Sequence, residues 1–246
     1  MQFYSALAEY YDRVYNFVDY EEQAGFFERV WSQYGKTKDR SVVDFACGTG
    51  THLSLLAQKG FSTYGVDASE DMLRLARLKC PQGRFVLADM VTVQLGTQCG
   101  LALCFFNSVL YAHPISSLRT MLENIRSHLQ TGAVAVFDVV DKTAGLRDPG
   151  HEFTFNQDGV FISFKPRWEY RGTGEILDLH VDFQIRDHGR EFHLHDHHEM
   201  CAIGIREVCA LVTSVGMEAF CLERVFDQMR EWEGSSKAAI IVARAL

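Results

Sequence analysis

A short apolar run, Ser41-Val42-Val43, ends on Asp44 and turns through Phe45-Ala46-Cys47-Gly48-Thr49-Gly50 directly into a helical pattern that opens at Thr51. Two glycines one residue apart let the backbone reverse tightly and let a ligand approach the N–H groups at the start of the helix. A strand that ends in an acid and a Gly-x-Gly turn is a nucleotide-type binding loop. It commits the surrounding chain to strands whose carboxyl ends face a ligand.

The flanking periodicity agrees. Residues 42–46 read as a strand, and Leu53, Leu55, Leu56 and Ala57 start a helix stopped by Gly60. Residues 61–66 read as a second strand, and Ser69 caps a helix carrying Met72, Leu73, Leu75, Ala76 and Leu78 that ends near Pro81. Residues 84–87 and 101–106 are further strands. Leu118, Met121, Leu122, Ile125 and Leu129 keep helical spacing up to Gly132, and 133–140 is a fifth strand. Strands alternating with helices predict an α/β chain with a parallel sheet and helices on both faces.

From about residue 151 the pattern changes. Leu177, Leu179, Val181, Phe183 and Ile185 alternate with Asp178, His180, Asp182, Gln184 and Arg186, the mark of a half-buried antiparallel strand. Residues 160–164 and 192–200 are its expected neighbours, and Pro166 marks an edge or a broken strand. The expected divisions are an N-terminal helical unit at 1–40, a binding core at 41–150, an inserted antiparallel cap at 151–200 and completion of the core sheet at 201–246. In the last of these, 205–215 reads as helix, with strands at 217–223 and 238–245. Residues 6–34 are helical in pattern and rich in tyrosine, with Phe26, Phe27, Val30 and Trp31 as a buried stripe.

Composition excludes several classes. The chain has 246 residues, 47% of them hydrophobic and 23% charged, with a formal net charge of -8. That charge and the lack of a Lys/Arg run argue against a nucleic-acid partner. No apolar stretch approaches the roughly 18 residues of a membrane span. The opening Met1-Gln2-Phe3-Tyr4-Ser5 does not read as a secretory signal. The seven cysteines include no Cys-x-x-Cys pair and read as reduced core thiols, so a cytoplasmic protein is expected.

The loop itself discriminates among ligands. A dinucleotide fingerprint places a third glycine where this chain has Leu53, and no Gly-Lys-Ser/Thr phosphate loop is present. Asp67, at the tip of the second strand, suits two ribose hydroxyls. Asp44 would repel a pyrophosphate and attract an ammonium or sulfonium cation. Asp89, at the tip of the third strand, suits an adenine amino group. Three acids at three successive strand tips fit a cationic adenosine, S-adenosylmethionine.

Together, Asp44-Phe-Ala-Cys-Gly-Thr-Gly, Gly65-Val-Asp67-Ala-Ser, Ala88-Asp89-Met90 and Phe105-Phe-Asn-Ser resemble the successive motifs of class I S-adenosylmethionine-dependent methyltransferases. Residues 45–53, the run from Asp67 through Met72, Tyr11-Asp12-x-x-Tyr15 and Asp19-Tyr20 are most similar to small-molecule N-methyltransferases of the amino-sugar type. The resemblance implies a Rossmann-like seven-stranded sheet whose last strand, 238–245, is antiparallel, with residues 1–40 acting as a lid. It implies that Ala46, Gly48, Thr49 and Gly50 carry the backbone against the methionine portion of the cofactor and that Asp44 holds its ammonium. It assigns Asp67 to ribose, Ala68 and Met72 to the adenine face, and Asp89 and Met90 to the adenine edge. Phe105, Phe106 and Asn107 would flank the methionine chain, with Tyr15 and Tyr20 over the cofactor. S-adenosylhomocysteine would be the product.

For chemistry, Tyr15, Tyr111 and His198 are the candidate catalytic residues, and Tyr11, Tyr111, His113, Trp168 and Tyr170 the candidate substrate contacts. The family's local Gly-Tyr reads Leu110-Tyr111 here, so the pocket wall differs. His193, His195, His197 and His198 invite a metal, but alternation puts the first three on one face about 6.5 Å apart, too widely spaced for a closed site, and none is expected. His198 falls on the apolar face with Phe192 and Leu194. The expected reaction is in-line methyl transfer to a small molecule at nitrogen. O-methylation, a cyclase or lyase use of the cofactor, and a non-catalytic binding subunit are the alternatives. The expected partner is that small molecule, with neither nucleic acid nor membrane, and a homodimer is allowed for.

Overall fold

The computed structural model describes Tyr4, residues 7–146 and residues 148–246. Ala6, where the expected N-terminal helical pattern opens, lies outside the described residues, as do residues 1–3, Ser5 and Arg147. Eleven strands are present among the described residues: β1 Ser41–Asp44, β2 Ser62–Asp67, β3 Arg84–Leu87, β4 Cys99–Cys104, β5 Leu129–Val140, β6 Phe153–Gln157, β7 Val160–Glu169, β8 Ile176–Asp187, β9 Arg190–Cys201, β10 Met217–Glu223 and β11 Ala238–Ala245. The helices are α1 Tyr11–Val14, α2 Tyr20–Tyr34, α3 Thr51–Gln58, α4 Glu70–Lys79, α5 Ile115–Ser127 and α6 Ile205–Ser214.

Seven strands form one sheet in the order β10-β11-β5-β4-β1-β2-β3. All run parallel except β11, which is antiparallel to both of its neighbours. Successive strand residues sort onto opposite faces. Val43, Ala102, Ala135, Phe137 and Ile241 pack with Leu118, Met121 and Leu122 of α5 and Val208 and Val212 of α6. Val42, Leu101, Leu103, Val134, Val136 and Val242 pack with Phe26, Phe27 and Val30 of α2 and Leu53 and Leu56 of α3. The strands are apolar throughout because both faces are covered, as a parallel sheet requires.

The remaining four strands make a separate antiparallel sheet, β6-β7-β8-β9. Its inner face, with Val160, Ile162, Phe164, Val181, Phe183 and Ile185, packs on Leu7, Ala8, Tyr11 and Val14 of the N-terminal segment and on Met72 of α4. β7 is continuous through Pro166. β6 pairs only as far as Phe164, so Pro166 lies where β7 borders β8 alone. The Trp168 N–H, of the same parity, turns away from β8 to donate to Asp148, so the missing proline N–H falls on the unpaired side.

Several boundaries differ from the sequence expectation, three of them with a clear local cause. The N-terminal helical pattern is interrupted: a 3-10 turn Ala8–Tyr10 leads into α1, and α2 restarts behind Asp19, whose side chain accepts from the Glu22 N–H at 2.8 Å. α5 stops at Ser127, and Leu129 and Gly132 belong to β5. Leu129 fits both periods, and Gly132, at φ 81, accommodates a register shift against β4. β4 ends at Cys104 rather than at 106, because Phe106 and Asn107 adopt left-handed backbone at φ 60 and 58.

Gly50 is demanded twice, by φ 76 and by α4, whose Ala76 Cβ would lie 3.0 Å from an added methyl. Gly50→Ala is expected to destabilise by about 1–3 kcal/mol, read as a lower urea midpoint with an unchanged slope.

Candidate functional site

The carboxyl ends of β1, β2, β4 and β5 converge on one region. Asp44 ends β1 and is 2% exposed. Its carboxyl accepts the Ala46 N–H at 3.2 Å, and among the described residues no cation is ion-paired with it. Burial pushes its pKa up to about 7, against the Ala46 hydrogen bond, and the nearby Asp67 charge pushes the same way. Asp67 ends β2. One of its oxygens accepts the Gly48 N–H at 2.8 Å and the other the Ser69 N–H at 2.9 Å, tying the glycine turn to the start of α4. Ser69 caps that helix as its sequence position predicts.

An aromatic wall follows β4. Phe105 packs on Phe27 and His52. Phe106 stacks on His52, with the rings at 14°, and lies 5.1 Å from Tyr15 and 5.9 Å from Tyr20, centroid to centroid. The His52 pKa is driven down to about 3 by burial and by Lys79, so its ring is neutral, and Nε2 meets Gln23 Oε1 at 2.7 Å. The left-handed Asn107 N–H donates to Asp138 at 2.8 Å, and the other Asp138 oxygen receives Arg224 Nε at 3.0 Å. Asn107 Oδ1 is the one buried side-chain polar atom among the described residues with no hydrogen-bond partner.

The N-terminal segment closes over this region. The Tyr11 ring covers Gly48 so closely that a Cβ there would meet it at 3.9 Å. Thr49 Oγ1 donates to Asp12 at 2.6 Å. Lys79 Nζ, on the last turn of α4, reaches Asp12 at 2.7 Å, Thr49 at 2.9 Å and Thr51 at 2.6 Å. What remains between Tyr11, Tyr20, Asp44, Gly48, Thr49, His52, Phe105 and Phe106 is a cavity of about 20 Å³. Tyr15 packs above it among Tyr11, Phe17, Phe106 and Phe164.

A second cluster adjoins the first. Tyr111, on the turn after β4, meets the Tyr4 hydroxyl at 3.0 Å and His198 Nδ1 at 3.1 Å. His198 Nε2 lies 3.5 Å from Asp196. Burial lowers the His198 pKa, and Asp196 opposes that shift. Register places Trp168, Leu179 and His198 in one row on one face of the small sheet.

Other sequence candidates lie apart. Met72 is fully buried against the N-terminal segment and the cap, whereas Ala68 and Asp89 are exposed. Asp89 caps its own turn through the Val91 N–H at 2.6 Å, and the Met90 carbonyl accepts from Asn124. His113 follows the turn without joining the cluster, and the Tyr170 hydroxyl points to the Gly174 carbonyl. His195 and His197 bind the carboxylates of Asp182 and Asp178 at 2.7 Å each. Among the described residues, no group of three or more His, Cys, Asp or Glu is placed to hold a metal ion.

Tyr4, Gln23, His52, Asp138 and Arg224 were not singled out from sequence; Asp12 stood only within a family motif and Asp196 only beside the histidine run. For Asp138, the signal used for Asp44 and Asp67, an acid near a strand's carboxyl end, was available. His52 and Gln23 meet across 29 residues and Asp138 and Arg224 across 86, distances at which local pattern carries no signal.

Comparison with known proteins gives a consistent setting. A family model described as "Methyltransferase domain" matches residues 42–132. The dTDP-3-amino-3,4,6-trideoxy-alpha-D-glucopyranose N,N-dimethyltransferase of Streptomyces venezuelae is 35% identical over 185 residues, 74% of this chain and 77% of the relative. The crystal structure of Streptomyces venezuelae DesVI superposes with a TM-score of 0.79 at 24% identity, covering 93% of this chain and 92% of the other. SAM-bound CalS10, an amino pentose methyltransferase from Micromonospora echinaspora, superposes at 0.78 with 18% identity, covering 98% and 97%. Both structures share the fold of this chain.

The Asp44 carboxyl binds a proton more tightly folded than unfolded, so the stability it contributes is present below about pH 4 and is lost as pH rises through about 7. Asp44→Asn is therefore expected to raise the unfolding free energy at pH 8, by on the order of 4 kcal/mol at most, with the gain shrinking toward pH 5, read from urea melts at the two pH values.

Proposed function

The chain belongs to the S-adenosylmethionine-dependent methyltransferases, and on that footing we propose that it methylates an amino group of a small molecule, with nucleotide-linked amino sugars as the substrate class. Nitrogen and the sugar are supported by the Streptomyces venezuelae relative, whose printed name gives both.

The residues present fit the cofactor, and the observation that carries this is Asp44. A carboxyl only 2% exposed, with its pKa pushed up to about 7, gains most from a cation beside it, and the methionine ammonium is such a cation. Asn107 Oδ1, a buried acceptor, is suited to a donor from a ligand. When bound, S-adenosylmethionine supplies a sulfonium methyl group open to in-line displacement, leaving S-adenosylhomocysteine.

In this reading Asp44 and the backbone from Ala46 to Gly50 hold the methionine portion. Asp67 holds ribose hydroxyls with the lone pairs that Gly48 and Ser69 leave. Ala68, Met72, Asp89 and Met90 border the adenine, the last two at its outer edge. Phe105, Phe106 and Asn107 flank the reacting end, and Tyr15 and Tyr20 cover it with ring faces that favour a cation. Tyr11, Tyr111, His113 and Trp168 face the substrate. Residues 1–40 act as a lid and 151–200 as a cap, together excluding water. His198, neutral because it is buried, takes the proton that a protonated amine must lose before it can attack. The same base gives O-methylation its standing as the second reading, since a hydroxyl needs deprotonation more than an amine does.

The test is incubation of the purified protein with S-adenosylmethionine and dTDP-3-amino-3,4,6-trideoxyglucose. The expected products are S-adenosylhomocysteine and a sugar carrying one or two N-methyl groups. Methylthioadenosine, or no turnover across amine and hydroxyl panels, would overturn the proposal. Two binding results are expected by calorimetry. Asp67→Ala weakens S-adenosylhomocysteine by about 10- to 100-fold. Wild-type affinity for it falls as pH drops below about 7, where Asp44 holds a proton that the ammonium must displace, by up to about tenfold per unit.

A further inference from the structure

We propose that Tyr111 passes a proton from the substrate's ammonium to His198, along a chain whose direction is set by Asp196 and whose geometry is completed by Tyr4. This rests on the amine reading above and adds two positioning residues, Asp196 and Tyr4, together with an order of transfer.

Three remote parts of the chain supply the groups. Tyr4 belongs to the N-terminal segment, Tyr111 to the turn after β4, and Asp196 and His198 to β9 of the cap. Tyr4 and Tyr111 are 107 residues apart, and Tyr111 and His198 are 87 apart. The rings meet edge to face, Tyr4 with Tyr111 at 83°, Tyr4 with His198 at 67° and Tyr111 with His198 at 69°. Packing alone would be satisfied by phenylalanines in that arrangement. The polar atoms nevertheless line up, Tyr4 Oη to Tyr111 Oη at 3.0 Å and Tyr111 Oη to His198 Nδ1 at 3.1 Å.

Asp196 gives this line a direction. Its carboxylate lies on the Nε2 side of His198, at 3.5 Å, and both residues are buried, at 8% and 3% exposed. A carboxylate there favours the tautomer with the proton on Nε2. Nδ1 then carries the lone pair, and the Tyr111 hydroxyl donates to it. The Tyr111 oxygen has two lone pairs: Tyr4 donates to one, and the other is left to accept an N–H of the substrate. Burial raises the pKa of both tyrosines well above the ordinary phenol value, so neither stores the charge. Among the described residues, the titratable groups facing His198 are Asp196 and His197 on its own strand, Tyr111 and Tyr4.

The transfer balances. One N–H bond of the ammonium breaks and its electron pair stays on nitrogen as the nucleophile's lone pair. An O–H bond forms on Tyr111 as its original proton moves to His198 Nδ1, leaving an imidazolium beside Asp196. Because Tyr4 rides on the N-terminal segment, the relay is complete only with that segment in place, so proton removal is coupled to closure.

Two measurements test this. In ¹⁵N-histidine-labelled protein, the His198 ring is expected as the neutral Nε2–H tautomer at pH 7, with the preference lost in Asp196→Asn. An Nδ1–H tautomer, or an imidazolium at that pH, overturns the relay. In kinetics with dTDP-3-amino-3,4,6-trideoxyglucose, Tyr111→Phe is expected to lower kcat about 100-fold at pH 7, and the deficit should close as pH rises toward the amine pKa, where the substrate arrives deprotonated. Asp196→Asn should move the acid limb of the profile to lower pH, and Tyr4→Phe should lower kcat several-fold without changing the His198 tautomer. A Tyr111→Phe deficit that is absent, or equal at every pH, overturns the relay. Wild-type enzyme that turns over no amine at all condemns the amine reading and the relay's first step with it, and the tautomer measurement then decides only whether Asp196 sets the proton on His198.

Discussion

A carboxylate buried at the end of an interior strand, β1, is the constraint around which the rest of the site is arranged. Asp44 ends a strand of a sheet covered on both faces and is 2% exposed, and the loop above it supplies a single N–H. The interior tolerates such a charge only in the company of a cation. The neighbouring features support that company: a second acid, Asp67, holds the glycine turn in shape, and neutral aromatic surface surrounds the space. A lysine or arginine beside Asp44 would stabilise the empty fold and spoil the site for a cationic ligand.

The two sheets divide the labour. The large sheet carries the turn, the acids and the aromatic wall. The small sheet presents one apolar face inward, ending in His198, and one charged face outward, where His195 and His197 pair with Asp182 and Asp178. The N-terminal segment lies between them, its Leu7, Ala8, Tyr11 and Val14 sharing one cluster with the cap. The N-terminal segment and the small sheet are therefore packed as one cluster.

The sequence carried the architecture because the architecture is local in origin. Strand–helix alternation and the glycine turn announced the large sheet, and strict alternation at 176–187 announced the small one. The antiparallel β11 came from family resemblance, since no local pattern sets strand direction. Asp44 and Asp67 were legible as acids at strand tips. His52 was not, because its burial depends on Gln23 and Phe106, nor was Tyr4, which meets its partner across more than a hundred residues. Phe106 looked like strand because apolar content says nothing of the left-handed turn it makes with Asn107, whose N–H donates to the distant carboxylate of Asp138.

A cavity of about 20 Å³ has room for roughly one water molecule. The segment carrying Tyr11 and Asp12 borders that space, and Asp12 is held by Lys79 and Thr49 together. Lys79 sits at the far end of α4 from Ser69, whose hydroxyl is bonded to the Tyr4 carbonyl. A single ten-residue helix thus grips the segment at both ends, like the two hinges of a turnstile. The position of that segment over the glycine turn is fixed by polar contacts at the two ends of one helix.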